Sequence, residues 1–198
     1  MSGVSIRIAD PSVDAAACAS IYAPYVRDTH ISFEVEPPDA REMETRMRAV
    51  LAWTPWLIAY DDDTALGYAY GSRHRERAGY RWSVDVSVYL DPTARGRGVG
   101  RALYAALIPM LQRQGFYRAY AGIGLPNDAS IGIHRAFGFE PIGIYRRVGW
   151  KLGVWTDVLW MGRDLRDERD EGAQPAEPTP FPDLKNDPQI KAALQSLP

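Results

Sequence analysis

A glycine-rich run, Arg95-Gly96-Arg97-Gly98-Val99-Gly100, lies between a predicted strand and a predicted helix. Glycine lets the backbone turn tightly and expose successive N–H groups, which together favour an anion. The N-terminal end of the following helix, from Arg101 to Gln114, adds a positive partial charge. Arg95, Arg97 and Arg101 surround the turn with cations. The run therefore predicts a pyrophosphate-binding turn rather than a simple solvated connection.

Two familiar nucleotide-binding motifs fit this run poorly. A P-loop ends in Gly-Lys followed by Ser or Thr, whereas Gly100-Arg101-Ala102 stands here. A dinucleotide-binding fingerprint has the spacing G-x-G-x-x-G in an early βαβ unit, with an acidic residue about 20 positions later. Here the spacing is G-x-G-x-G, the run lies in mid-chain, and no acidic residue follows at that distance. The glycine spacing therefore gives little support to a dinucleotide-binding oxidoreductase.

The strand before the run, from Tyr80 to Leu90, alternates between a polar face and an apolar face formed by Trp82, Val84, Val86, Val88 and Leu90. The polar face carries Asp85 between Ser83 and Ser87. Burial in a central strand would raise the pKa of this carboxyl group toward a range useful for a general base. Asp85 is accordingly our candidate catalytic base. The structural alternative is a carboxylate that merely bonds Ser83 or Ser87.

The remaining periodicity predicts one mixed α/β domain over residues 1–165, followed by a charged, proline-rich tail over residues 166–198. Helices are expected from Asp10-Pro11 to about Tyr22, after Asp39, after the glycine run and after Asn127. A short helix is expected near 188–197, with the tail held against another surface such as a partner subunit. The predicted strands cover 4–9, 56–60, 66–71, 80–90, 119–125, 141–147 and 155–165.

Composition narrows the class of protein. Of 198 residues, 46% are hydrophobic and 24% charged, as in globular proteins, and the net charge of -2 offers no electrostatic case for a nucleic-acid partner. No apolar run reaches the length of a membrane span, and we expect no signal peptide. The single cysteine, Cys18, cannot form an internal disulfide and fits a reducing, cytoplasmic location. No His/Cys/Asp cluster has metal-ligand spacing, so no metal site is expected.

Arg95-x-x-Gly98-x-Gly100 resembles the (Q/R)-x-x-G-x-(G/A) signature of the GNAT acetyltransferase superfamily. Asn127 with Ser130, followed by Phe137-Gly138-Phe139, is similar to its second element. Finer matches resemble the phosphinothricin and methionine sulfoximine N-acetyltransferase branch. They are Ile31-Ser32-Phe33-Glu34, Tyr80-x-Trp82, Ser87-Val88-Tyr89-Leu90, Ile123-Gly124-Leu125-Pro126-Asn127-Asp128, and Gly149-Trp150-Lys151.

The resemblance implies the GNAT fold: a central, mixed, mostly antiparallel splayed sheet flanked by helices, with acetyl-CoA in its cleft and commonly a homodimer. It implies N-acetylation of a small amino-acid-like amine by direct attack. Members of the branch usually carry glutamate where Asp85 stands, and His134 lies where the branch has histidine, so both become candidate catalytic residues. The resemblance assigns coenzyme binding to Val88, Tyr89, Leu90, Arg95, Gly96, Arg97, Gly98, Val99, Gly100, Arg101, Asn127 and Ser130.

For the acceptor, Arg77 aligns with an arginine that meets the substrate carboxylate in the branch, and Arg75 lies close by in sequence. Phe33, Tyr80 and Trp82 are expected to wall the pocket. Phosphinothricin and methionine sulfoximine are the leading substrates. Another amine (a polyamine, an aminoglycoside or a protein N-terminus) and a non-catalytic acyl-CoA-binding protein remain as alternatives. His30 and His74 are expected at the surface.

Overall fold

The computed structural model describes residues 3–166 and 175–195. Its seven strands and first four helices follow one another in the order that the sequence predicts. The strands are β1 (Val4–Ile8), β2 (Trp56–Asp61), β3 (Thr64–Arg73), β4 (Ser83–Leu90), β5 (Arg118–Gly124), β6 (Glu140–Lys151) and β7 (Val154–Asp164). The helices are α1 (Pro11–Asp28), α2 (Ala40–Leu51), α3 (Val99–Gln114), α4 (Asp128–Ala136), α5 (Phe181–Leu184) and α6 (Pro188–Gln195).

The strands form one open sheet in the order β1-β2-β3-β4-β5-β7-β6. All neighbouring pairs are antiparallel except β4 and β5, which run parallel. The predicted mixed, mostly antiparallel sheet flanked by helices is therefore confirmed. The parallel pair is short: it begins at Ser83 beside Arg118 and ends at Asp85 beside Tyr120. Beyond Asp85 the two strands have no paired residues, and the sheet splays open.

Both faces of the sheet are covered. One core is built on α3, whose Leu103, Leu107 and Leu111 are fully buried against Val84 and its neighbours. The second core packs α1 and α2 on the opposite face. The apolar face predicted for β4 is confirmed at Val84 and Val86, which are 0% and 5% exposed.

Several element boundaries differ from the sequence prediction. Helix α1 continues through Pro24 to Asp28 instead of ending near Tyr22. Strand β4 begins at Ser83, because Ala78–Tyr80 forms a 3-10 turn rather than the start of the strand. Strand β6 runs on to Lys151 and makes a long hairpin with β7. The helical residues Pro188–Gln195 agree with the short helix expected in the tail.

The described part of the tail packs on its own chain. Phe181 and Ile190 are 3% and 0% exposed and join the core on the α3 side. The backbone N–H of Thr179 donates to the carbonyl of Gln114 at 2.7 Å, and Arg113 forms an ion pair with Asp187 at 2.7 Å. The surface that holds this segment therefore includes helix α3 of the same chain.

Within the described ranges, no helix is both long and apolar enough to cross a membrane.

Candidate active site

A cavity of about 620 Å³ lies where β4 and β5 separate. Its floor is formed by β4 from Val86 to Leu90 and by β5 from Ala121 to Gly124, and its ends by the glycine run and helix α4. A volume of this size is typical of small-molecule and cofactor sites. The cavity exists because the parallel pairing stops at Asp85, so the splay of the sheet itself supplies the cleft.

The glycine run forms a tight turn at one end of this cavity. Gly96 and Gly98 have φ of 74° and 81°, which is the left-handed region that glycine enters without steric cost. A Cβ built on either residue would meet no atom within 4 Å, so the turn faces open space. Gly98 is also the N-cap of α3, and the first N–H groups of a helix have no intrahelical partner. The turn can therefore present several amide hydrogens to an anion.

Eleven of the twelve residues predicted to bind the coenzyme line the cavity. They are Val88, Tyr89, Leu90, Arg95, Gly96, Gly98, Val99, Gly100, Arg101, Asn127 and Ser130. The twelfth, Arg97, does not line it, because its guanidinium group pairs with Asp61 at 2.5 Å. Asn127 also caps α4, its side-chain oxygen accepting from the backbone N–H of Ser130 at 3.1 Å.

The edge of β4 that faces the cleft offers backbone donors. The N–H of Asp91 donates to Leu66 of the β3 side at 2.9 Å, and successive N–H groups along a strand point to opposite edges. The N–H groups of Leu90 and Val88 therefore point away from β3, toward the splay, whereas that of Tyr89 points toward β3. Val88 and Leu90 thus direct a backbone N–H toward the cleft, and that of Leu90 donates to the hydroxyl of Tyr25 at 3.3 Å.

Tyr25 is a cavity residue that the sequence analysis missed. Its hydroxyl donates to the carbonyl of Leu90 at 2.7 Å and accepts from the N–H of Leu90 at 3.3 Å. The guanidinium carbon of Arg95 lies 5.8 Å from the centre of the Tyr25 ring. Tyr25 thus fixes the end of β4 and braces Arg95. It was missed because α1 was expected to end near Tyr22.

Asp85 lies at the vertex of the splay, on the last β4 position that pairs with β5. Its Oδ1 is 2.6 Å from Nδ1 of His74, and its side chain is 23% exposed. Burial raises the pKa of Asp85 above its usual value, while the hydrogen bond and charge of His74 act in the opposite direction. The rise expected from the sequence is confirmed. The partner is His74, not Ser83 or Ser87, which were the structural alternatives.

The expectation that His74 is a surface residue is wrong. Its side chain is only 12% exposed, and its ring stacks on Tyr120 with 4.3 Å between ring centres. Tyr80 and Trp160 meet it edge-on at 5.8 and 5.9 Å. His30 is also not fully exposed, and its Nδ1 is enclosed without a hydrogen-bond partner among the described residues. The environment of His74 has little local sequence signal, since the rings of Tyr120 and Trp160 come from the distant strands β5 and β7.

His134 lies in the wall of the large cavity and is 3% exposed. Its Nδ1 bonds the carbonyl of Ser130 at 2.7 Å, and its Nε2 lies 3.0 Å from the hydroxyl of Tyr104. Since a carbonyl can only accept, Nδ1 carries the proton and Nε2 accepts from Tyr104. Burial lowers the pKa of His134 below its ordinary value. His134 is therefore a neutral imidazole backed by a tyrosine hydroxyl.

The predicted acceptor-binding residues fall into separate places. Arg75, Arg77 and Tyr80 lie together around His74 and line a small pocket beside it. Trp82 lines neither this pocket nor the cleft, because its indole N–H donates to the carbonyl of Ala176 in the tail at 2.9 Å. Phe33 packs against the backbone of Gly149 on β6.

Other reactive chemistry is not apparent in the described residues. Cys18 is fully buried, and burial raises the pKa of its thiol to about 12, so it is a poor nucleophile. The described side chains include no group of three or more histidine, cysteine, aspartate or glutamate residues placed to hold a metal ion.

Comparison with known proteins identifies the family. The sequence profile of the acetyltransferase (GNAT) domain matches residues 6–160. A phosphinothricin N-acetyltransferase of Alcaligenes faecalis is 42% identical over 77% of this chain and 78% of its own length. An L-methionine sulfoximine/L-methionine sulfone acetyltransferase of Salmonella typhimurium is 34% identical over 87% of this chain and 98% of its own length.

A solved structure agrees with these relatives. The GNAT superfamily phosphinothricin acetyltransferase of Sinorhizobium meliloti, crystallised with acetyl-CoA, superimposes with a TM-score of 0.81 at 34% identity. The match covers 92% of this chain and 97% of that one. The chain therefore belongs to the GNAT acetyltransferase family.

Proposed function

We propose that this protein transfers the acetyl group of acetyl-CoA to the amino group of a small amino acid of the phosphinothricin or methionine sulfoximine type. The observation that carries the proposal is the cleft between β4 and β5, which has a glycine-rich turn at one end. The partly buried carboxylate of Asp85 lies at the last β4–β5 pair, where the cleft begins. The relatives named for these two substrates support the choice of acceptor.

The residues present fit the coenzyme. The open turn at Gly96 and Gly98 and the first turn of α3 would hold the pyrophosphate through backbone N–H groups. Arg95 and Arg101 line the same end of the cavity and would supply positive charge. When bound, acetyl-CoA supplies the thioester carbonyl that the amine attacks.

The chain's own groups would then serve two needs of the reaction. An oxyanion that develops on the thioester carbonyl needs a fixed donor, and the N–H of Val88 points into the splay with no β-strand partner opposite it. An ammonium group must lose a proton before it can attack, since amino groups titrate at about 8 or above. Asp85 at the vertex is the proposed base.

The acceptor carboxylate would meet the arginines beside this vertex. Arg75 and Arg77 line the small pocket that His74 also lines, and a guanidinium group binds a carboxylate or phosphinate through paired N–H donors. The guanidinium carbon of Arg75 lies 5.4 Å from the centre of the Trp160 ring, which limits its freedom. An anionic head group is therefore better matched here than a polyamine or an aminoglycoside.

We also propose that the protein is a homodimer in the cytoplasm. Strand β6 is the edge of the sheet, and apolar side chains along the β6–β7 hairpin are exposed by 43% to 59%. They are Ile142, Ile144, Tyr145, Val148, Trp150, Leu152, Val154 and Trp155. A long, apolar edge strand is an association hazard unless it is covered, and a second hairpin of the same kind is self-complementary. The cytoplasmic location rests on the single, buried thiol.

The coenzyme and the acceptor can be tested separately. Acetyl-CoA should raise the Tm of the protein, while NADH and ATP should have little effect. Thiol release from acetyl-CoA, followed with a thiol reagent, should require phosphinothricin or methionine sulfoximine. Arg101→Ala should reduce the shift in Tm more than Arg97→Ala, because Arg97 is paired with Asp61 outside the cavity.

Each negative result has a distinct meaning. Stabilisation by acetyl-CoA without thiol release for any amino acid analogue would favour the non-catalytic acyl-CoA-binding alternative. The absence of any stabilisation by acetyl-CoA would overturn the proposal as a whole.

A further inference from the structure

The contact between His74 and Asp85 depends on the pairing of β3 with β4, since the two residues are 11 positions apart in the chain. His74 follows the last residue of β3, and Asp85 lies on β4 opposite Ser72 in the antiparallel register. The intervening residues loop out through the 3-10 turn Ala78–Tyr80 and return. At 2.6 Å the two side chains must share a proton, because a carboxylate and an unprotonated ring nitrogen would repel each other.

Packing holds the imidazole in one orientation. Tyr120 lies flat against one side of the ring with an interplanar angle of 17°, and Tyr80 and Trp160 meet it edge-on. Among the described residues, Asp85 is the only side chain that hydrogen-bonds the His74 ring, and Nε2 has no such partner. A ring fixed by aromatic contacts, bonded at Nδ1 and without a hydrogen bond at Nε2 among the described side chains, has the form of an oriented general base.

We propose that His74 and Asp85 act as a pair in which His74 takes the proton from the substrate ammonium group. This inference rests on the proposed acetyltransferase function. Asp85 accepts the Nδ1–H bond and so directs the lone pair to Nε2. The aspartate side chain is short, and the imidazole bonded to it extends the reach of the pair.

The protons balance in this scheme. Nε2 takes one proton from the ammonium group, and the freed electron pair of the nitrogen forms the new bond to the acetyl carbon. The carbon–sulfur bond breaks with its electrons on sulfur, and the second amine proton leaves with that thiol. The His74 imidazolium, stabilised by Asp85, then returns its proton to solvent. The charged and titratable groups that face the pair are Arg75, Tyr70, Tyr80, Tyr120 and, behind the Tyr120 ring, Arg118.

The decisive experiment compares His74→Ala with His74→Asn. Asparagine keeps an N–H donor near the position of Nδ1 but cannot titrate. If His74 carries the proton, both variants should lose kcat/KM for the acceptor by about 100-fold or more. The deficit should shrink as pH rises above about 8, where the amine loses its proton unaided. Acetyl-CoA should still raise the Tm of both variants as it does in the wild type.

A second measurement does not depend on activity. In protein labelled with 15N-histidine, the His74 signals, assigned by their loss in His74→Asn, should show the Nδ1–H tautomer, and Asp85→Asn should alter it. A His74→Asn enzyme with wild-type kcat/KM and pH profile would overturn the proposal by reducing His74 to a support for Asp85. An Nε2–H tautomer would overturn it as well. Wild-type protein that releases no thiol with any amine would instead contradict the proposed function.

Discussion

At the scale of single residues, the buried carboxylate of Asp14 is stabilised by several hydrogen-bond donors. Asp14 is fully buried on α1, yet its carboxylate accepts from Arg7 at 2.6 and 2.7 Å, from the N–H of Asp10 at 2.7 Å and from Tyr60 at 2.8 Å. Burial opposes its ionisation, but these donors outweigh burial and hold its pKa below the usual value. The network ties β1, α1 and β2 together on the face opposite α3.

Asp14→Asn should therefore lower the free energy of unfolding by about 2 kcal/mol, since two or more charged hydrogen bonds are lost while Arg7 stays half exposed. Because the folded pKa is depressed, the contribution of Asp14 is fully present above the unfolded value of about 3.9 and is lost as pH falls through the folded value. Urea unfolding at pH 7 and pH 3 measures both effects. Asp63→Asn, at an exposed turn, should change little, and equal losses for both variants would contradict this account.

At the scale of secondary structure, the glycine run and the two faces of β4 could be read directly from the sequence, because both depend on local spacing. The pairing of His74 with Asp85 could not. It depends on the register between β3 and β4 and on aromatic rings contributed by β5 and β7. Trp82 illustrates the same limit. Alternation predicts the face of the strand on which its side chain lies, but its hydrogen bond to the carbonyl of Ala176 involves the distant tail segment.

The tail segment is an element whose stability contribution can be measured. Ile190→Ala in α6 should cost about 3 kcal/mol, because this side chain is fully buried against α3 and would leave a cavity. Gln189→Ala, on the exposed side of the same helix, is the matched control. Thermal unfolding should show a clear fall in Tm for the first variant alone. If both variants unfold like the wild type, the tail is not part of the cooperative fold.

At the scale of the whole molecule, the exposed hairpin makes the assembly state testable. Trp150 and Trp155 lie side by side, 5.5 Å between ring centres, and are 59% and 56% exposed. A paired indole surface of this kind is typical of interface anchors. The double variant Trp150→Glu with Trp155→Glu should shift the proposed dimer to monomer in sedimentation velocity, because charge at the centre of an interface is costly. A wild-type protein that sediments as a monomer at all concentrations would overturn the dimer.

The short parallel pairing between β4 and β5 also has a mechanical consequence. The half of the sheet that carries β1 to β4 is joined to the half that carries β5 to β7 by three residue pairs, from Ser83 beside Arg118 to Asp85 beside Tyr120. The N–H groups of Tyr117 and Arg118 add hydrogen bonds to the carbonyl of Trp82 just before these pairs. The two halves of the sheet are thus connected over a short distance, and Asp85 lies at the end of this connection. An elongated ligand that hydrogen-bonds the unpaired edges of both β4 and β5 would fix the distance between the two halves. Such a ligand would therefore also stabilise the alignment of Asp85 and His74.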